Sequence, residues 1–181
     1  MKMSKQEKMS SKERQALITR LLKETTKPIT GNEFSQKTNV SRQVIVQDIS
    51  LLKAKGKPIV ATSQGYIYLN KVEENKAHKK VIVCNHPPER TAEELHLITD
   101  HGVSLKNVIV EHPVYGDITA TIHVSNRKEA NQFVKKIEDA SASYLSVLTN
   151  GVHLHTLEAD TEDKLEAVCN DLETAGILVS R

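Results

Sequence analysis

Two histidines two residues apart, in Asn150-Gly151-Val152-His153-Leu154-His155-Thr156, carry the most pointed chemical signal of this 181-residue chain. The run is rich in strand-favouring residues. Successive strand side chains alternate faces, so His153 and His155 share a side, about 6–7 Å apart. Two imidazoles at that spacing can converge on one small ion or ligand. Val152, Leu154 and Thr156 are then expected to point the other way, into a core. His86 closes an apolar, strand-like run, and Glu94 follows in the first turn of an expected helix. Together these make three imidazoles and one carboxylate, a donor set that suits zinc, nickel, iron(II) or manganese, with thiolate absent from it. Two polar residues on a wet sheet face are the bland alternative.

The rest of the chain bears on that choice. Its length suits one large domain or two small ones. Cys84 and Cys169 lie far apart in apolar segments, which argues against a disulfide framework and for a reducing cytoplasm. No apolar run approaches the roughly 20 residues that span a bilayer, and the basic N-terminus lacks a signal peptide's apolar stretch. The overall charge of +2 hides an asymmetry: residues 1–72 hold 14 Lys and Arg against 5 Asp and Glu (+9), the remainder 11 against 18 (−7). One half is therefore expected to meet a polyanion. Two domains follow, 1–72 and 78–181, joined through the charged stretch 71–78.

In the basic part, a helix begins near Ser10 or Ser11. A second starts at Thr30-Gly31-Asn32-Glu33, and after the turn Asn39-Val40 Ser41 caps a third over 42–55. On that third helix Ile45, Ile49 and Leu52 follow the helical period inward. Arg42, Gln43, Val46 and Gln47 are left outward. This is a helix-turn-helix, whose second helix enters the major groove. Arg can bond guanine, Gln adenine, and Val46 can pack on a thymine methyl. Ser41 opens the helix, while Lys53 and Lys55 would contact phosphates of double-stranded operator DNA. Beyond it, 58–61 and 66–69 pair across Ser63-Gln64-Gly65 as the wing.

The acidic part alternates strands and helices. Strands are expected at 79–84, 105–114, 118–124, 144–148 and 152–157, the last two forming a hairpin about Asn150-Gly151. Helices start at Thr91 (a capping box with Glu94), at Ser125-Asn126 and at Thr161, and 177–179 adds a short edge. The fold class is α+β: a winged helix-turn-helix, then a mixed domain with helices packed on one face.

Residues 105–124, with Val110-Glu111-His112-Pro113-Val114-Tyr115-Gly116, and 148–156, with Gly151-Val152-His153-Leu154-His155, resemble the signature of the 3H domain. That domain is fused to a winged helix in the niacin-responsive transcriptional repressors of bacteria, and the resemblance covers nearly the whole chain in matching order. It implies a cytoplasmic, homodimeric repressor of genes for NAD biosynthesis and niacin uptake, with nicotinic acid as co-repressor. It also implies a phosphocarrier-like open-faced sandwich holding one divalent transition metal per chain (Ni, Zn, Fe or Mn). The ligands then fall on His86, Glu94, His153 and His155. Glu93 is the adjacent alternative carboxylate, and the spacing from His86 favours Glu94. His112 and Tyr115 are expected to orient the pyridine ring. The rival reading is a metal-dependent hydrolase fused to a nucleic-acid-binding module, since such ligands can activate water. No phosphate-cradling loop, nucleophilic cysteine motif or Ser-His-Asp order supports an enzyme.

Overall fold

The computed structural model describes residues 9–69 and 77–179. The chain divides into two compact units, Met1–Glu73 and Glu74–Arg181. The expected boundary lies for the most part outside the described residues.

In the first unit, α1 (Ser11–Lys23) and α2 (Gly31–Thr38) each open on a capping box, Ser10 with Glu13 and Thr30 with Glu33. Asn39, in the left-handed conformation at φ 52°, ends α2 and turns the chain to Ser41, whose hydroxyl caps α3 (Arg42–Ala54). The expected inward stripe is the one found: Ile45, Ile49 and Leu52 are buried against Ile18, Leu22 and Phe34. The hairpin β1 (Ile59–Thr62) and β2 (Gly65–Tyr68) pairs Ile59 with Tyr68, and Ile29 bridges to Tyr66.

Helix periodicity did not foretell one feature here. Asp48, on the inward side of α3, is buried and takes hydrogen bonds from Arg14 Nε (2.5 Å), Ser11 Oγ (2.9 Å) and Gln15 Nε2 (3.1 Å) of α1. Burial is the largest single influence on its carboxyl and pushes the pKa up. The bonds from Arg14, Gln15 and Ser11 together override that and hold it below the usual 3.8. Its stabilisation is therefore complete above the unfolded value near 4 and is lost as pH falls through the depressed folded value. Asp48→Asn strands the Arg14 guanidinium and should cost on the order of 3–5 kcal/mol. The opening free energy of the α1 and α3 amides, followed by hydrogen exchange, measures it.

The second unit is an antiparallel sheet with the order β3-β6-β4-β5. Its strands are β3 (His78–Asn85), β4 (Ser104–His112), β5 (Gly116–Val124) and β6 (Val152–Ala159), with the helices α4 (Thr91–Asp100), α5 (Arg127–Asp139) and α6 (Glu162–Thr174). One face of the sheet packs on all three helices around Ile82, Leu105, Ile122, Leu157, Leu95 and Val168, so the layers form an open-faced sandwich. Leu178 bridges to Cys84, placing the C-terminal segment on the outer edge of β3. No helix among the described residues is long and apolar enough to cross a membrane.

Three local expectations are corrected. The segment read as a strand over 144–148 is a 3-10 turn, Leu145–Thr149. The Ser146 carbonyl accepts from Thr149 Oγ1 and from the Gly151 amide, a local closure that outcompetes strand pairing. Thr91 does not cap α4. A 3-10 turn, Pro88–Arg90, runs straight into the helix, and Thr91 is already its first residue. Finally, β6 is turned over from the orientation expected: His153 and His155 are buried on the helix-covered face with Leu157 and Ala159, while Val152 is exposed and Leu154 and Thr156 lie on the open face.

Candidate metal centre

Strand pairing builds the site. β6 lies between β3 and β4, with His153 opposite Cys84, His155 opposite Ile82 on one side and opposite Val108 on the other. His86 stands just past β3, two residues beyond Cys84, and so continues the same face. Glu94 comes down from the first turn of α4. Its carboxylate lies 2.9 Å from His86 Nε2 and 3.3 Å from both His153 Nε2 and His155 Nε2. The rings of His86 and His153 meet edge to face at 4.9 Å between centroids, those of His153 and His155 at 4.7 Å. All four side chains are buried.

The other ring nitrogen of each histidine is held by the main chain. Nδ1 of His86 lies 2.9 Å from the Pro87 carbonyl, that of His153 2.7 Å from Gly151 O, and that of His155 2.7 Å from Asn107 O. A carbonyl only accepts, so each Nδ1 donates a proton to the main chain and Nε2 is the nitrogen that each ring turns towards Glu94. The Asn107 carbonyl lies where the ladder slips between Leu105 and Asn107, a bulge that aims it at the imidazole. Asn107 Oδ1 accepts the Thr156 amide at 3.0 Å beside it.

Burial is the largest single influence on the Glu94 carboxyl and raises its pKa. The opposing pull of His155, His153 and His86 is greater in sum and holds it well below the carboxylate range. For His86 burial again acts first, downward, and Glu94 and the Pro87 carbonyl more than offset it, raising the ring's pKa.

Glu94, rather than Glu93, is the carboxylate that these rings surround. Glu93 is half-exposed and gripped by Arg90 through two bonds of 2.8 and 2.9 Å. One neighbour escaped the sequence reading. The buried thiol of Cys84 lies with ligand atoms of Glu94 and His153 all within 4.8 Å of one another, its pKa raised by burial first and then by the Glu94 charge. Its position two residues before His86 was the available signal. The donor set near Glu94 therefore includes sulfur, which the reading from residue types left out.

The cluster closes the polar end of a cavity of about 170 Å³, whose other walls are largely apolar, among them Leu95, Val108, Ile122, Phe133 and Tyr144. His112 and Tyr115 are not among its walls. They sit at the β4–β5 turn, where His112 Nδ1 accepts the Val114 and Tyr115 amides and Tyr115 is 78% exposed.

In the first unit Arg42, Gln43 and Gln47 are exposed along α3, Val46 is half-buried, and Lys53 is exposed in the last turn. The Arg42 side chain passes close to Gly31 at the start of α2. Lys55 Nζ is engaged by Gln15 Oε1 at 2.9 Å, a partner within the unit.

Comparison with known proteins matches the 3H domain to residues 79–181 and a helix-turn-helix domain to residues 14–67. The transcription repressor NadR of Bacillus subtilis (strain 168) is 53% identical over 98% of this chain and 99% of its own length. The probable transcription repressor NiaR of Thermotoga maritima is 38% identical over 99% of this chain and 97% of its own. The chain belongs to the NadR/NiaR family of transcription repressors. Membership makes it a DNA-binding regulator rather than an enzyme, and the hydrolase alternative is set aside on that ground. Within the family pattern, the helix-turn-helix match spans α1 to β2 and the 3H match spans every residue of the buried His–Glu cluster.

Proposed function

We propose that the chain represses genes of NAD biosynthesis and niacin uptake as a homodimer in the cytoplasm, with nicotinic acid as co-repressor at a metal held by His86, Glu94, His153 and His155. The observation that carries this reading is the convergence of three buried Nε2 atoms on one buried carboxylate, at the polar end of an apolar cavity. Nε2 of His86 and Nε2 of His155 have no hydrogen-bond partner. Lone pairs facing a carboxylate repel unless positive charge stands between them. Three imidazolium ions in a protein core carry a heavy desolvation penalty, whereas one divalent cation satisfies all four groups at once. Carbonyl oxygens behind each Nδ1 fix the tautomer and orientation that ligation requires. The cation would supply an electrophile for a small anion. The apolar walls suit the flat ring of an aromatic carboxylate, and Phe133 and Tyr144, with centroids 6.3 Å apart, stand among them.

Arg42, Gln43, Val46 and Gln47 would face base edges from α3, with Ser41 opening the helix and Lys53 and Lys55 near phosphates. In the homodimer two such helices read half-sites about one helical turn apart. Co-repression demands reciprocity: nicotinate strengthens operator binding by the same factor by which operator strengthens nicotinate binding, typically about 5- to 150-fold. Calorimetric titration of metal-loaded protein with nicotinate, with and without operator DNA, should show that factor. Equal affinities in the two titrations would contradict the proposal.

A further inference from the structure

Among the described residues, three buried side-chain polar atoms have no hydrogen-bond partner: Nε2 of His86, Nε2 of His155 and Oγ1 of Thr91. All three residues line the one cavity at the metal centre. The imidazole nitrogens are accounted for by the proposed cation. The threonine hydroxyl is not.

Thr91 is 7% exposed and is the first residue of α4. Buried helical threonines of this chain return their hydroxyl to the carbonyl four residues back, as Thr38 does to Phe34 O (2.7 Å) and Thr99 to Leu95 O (2.8 Å). For Thr91 that carbonyl belongs to Pro87, and it already accepts His86 Nδ1 (2.9 Å) and the Arg90 amide (3.1 Å). Both of its lone pairs are taken. The arrangement that orients the His86 ring therefore deprives Thr91 of its ordinary acceptor. A buried hydroxyl without a partner is a cost that valine, of the same shape, would avoid. Thr91 also precedes Glu94 by three residues, so the two stand on one face of α4.

We propose that Thr91 is the specificity-determining residue for the effector, its hydroxyl donating a hydrogen bond to a carboxylate oxygen of the small aromatic acid in the cavity. This rests on the effector reading given above. A hydrogen bond to a charged oxygen in such a setting corresponds to a loss of about ten- to a hundredfold in affinity when the donor is removed.

The test uses the full chain loaded with Ni2+ and titrated with nicotinate, comparing wild type, Thr91→Val and Thr91→Ser. Thr91→Val should bind nicotinate at least about tenfold more weakly, while Thr91→Ser stays within about threefold of wild type. Ni2+ affinity should be unchanged in both, and without nicotinate the unfolding midpoint of Thr91→Val should equal or exceed that of wild type. Nicotinate binding by Thr91→Val at wild-type strength would overturn the proposal. So would a loss that comes with weaker Ni2+ binding or a lower midpoint, which is the mark of a structural role. Ni2+-loaded wild type that does not bind nicotinate would sink the effector reading itself, and Thr91's role with it. That outcome is seen before any variant is made.

Discussion

Glu94→Gln should lose divalent metal while Glu93→Gln keeps it. The carboxylate of Glu94 is the one negative charge among the three imidazoles, and an amide offers neither that charge nor a second equivalent oxygen. Loss of an outer partner of a metal ligand costs about 10–100-fold in affinity, so loss of the charged ligand itself should exceed about a hundredfold. The readout is thermal. A metal that binds only the folded chain stabilises it by about 2.7 kcal/mol at a hundredfold excess over Kd. For a unit of this size that is a rise of roughly 10–20 °C in the unfolding midpoint. Wild type and Glu93→Gln should show the rise on addition of Ni2+ or Zn2+, and Glu94→Gln should not. Glu93 is the proper control because its carboxylate is already held by Arg90 outside the cluster. An undiminished midpoint rise in Glu94→Gln would remove this carboxylate from the metal centre.

Replacing Arg42 and Gln43 together by alanine should abolish operator preference and leave the first unit folded. Both residues are exposed at the start of α3, away from the stripe of Ile45, Ile49 and Leu52. A bidentate contact to a base edge discriminates by about 1–3 kcal/mol, so two such contacts account for specificity of the order of a hundredfold or more. Affinity for unrelated DNA, carried by phosphate contacts, should fall little and keep nearly the same salt dependence. Mobility-shift titrations on operator and scrambled duplex at one salt concentration separate the two. Retained preference would take the N-terminal turn of α3 out of base recognition.

What the sequence made legible followed from short-range rules. The caps at Thr30, Ser41 and Asn126 and the inward stripe of α3 depend on residues three or four apart, and the folded chain uses them as expected. Groups far apart in the chain were another matter. Cys84 and His153 become neighbours only through the β3–β6 register, which no local pattern encodes. The orientation of β6 differs from the expected one for a physical reason. In an open-faced sheet apolar side chains such as Leu154 stand on the uncovered face, so alternation alone does not say which side is the core. The burial of His153 and His155 is supported by the Gly151 and Asn107 carbonyls, which take their Nδ1 protons, and a carbonyl freed by a bulge is invisible in residue types. The spacing of Thr91 to Glu94 predicts a cap, which α4 does not use. That spacing instead sets a hydroxyl and a carboxylate on one helix face.

The imidazoles of this chain take their bearings from oxygens of Pro87, Gly151 and Asn107 that belong to the peptide backbone. No point substitution deletes such an oxygen. Drift in the surrounding side chains can therefore proceed a long way before the rings lose alignment, and fragility is concentrated where the path of the chain itself can be bent. Gly151 is such a place. It holds φ at +100°, and a methyl group there would stand 2.8 Å from the carbonyl oxygen of His86, so one added carbon would disturb the carbonyl that holds the His153 ring and press on the main chain that carries His86.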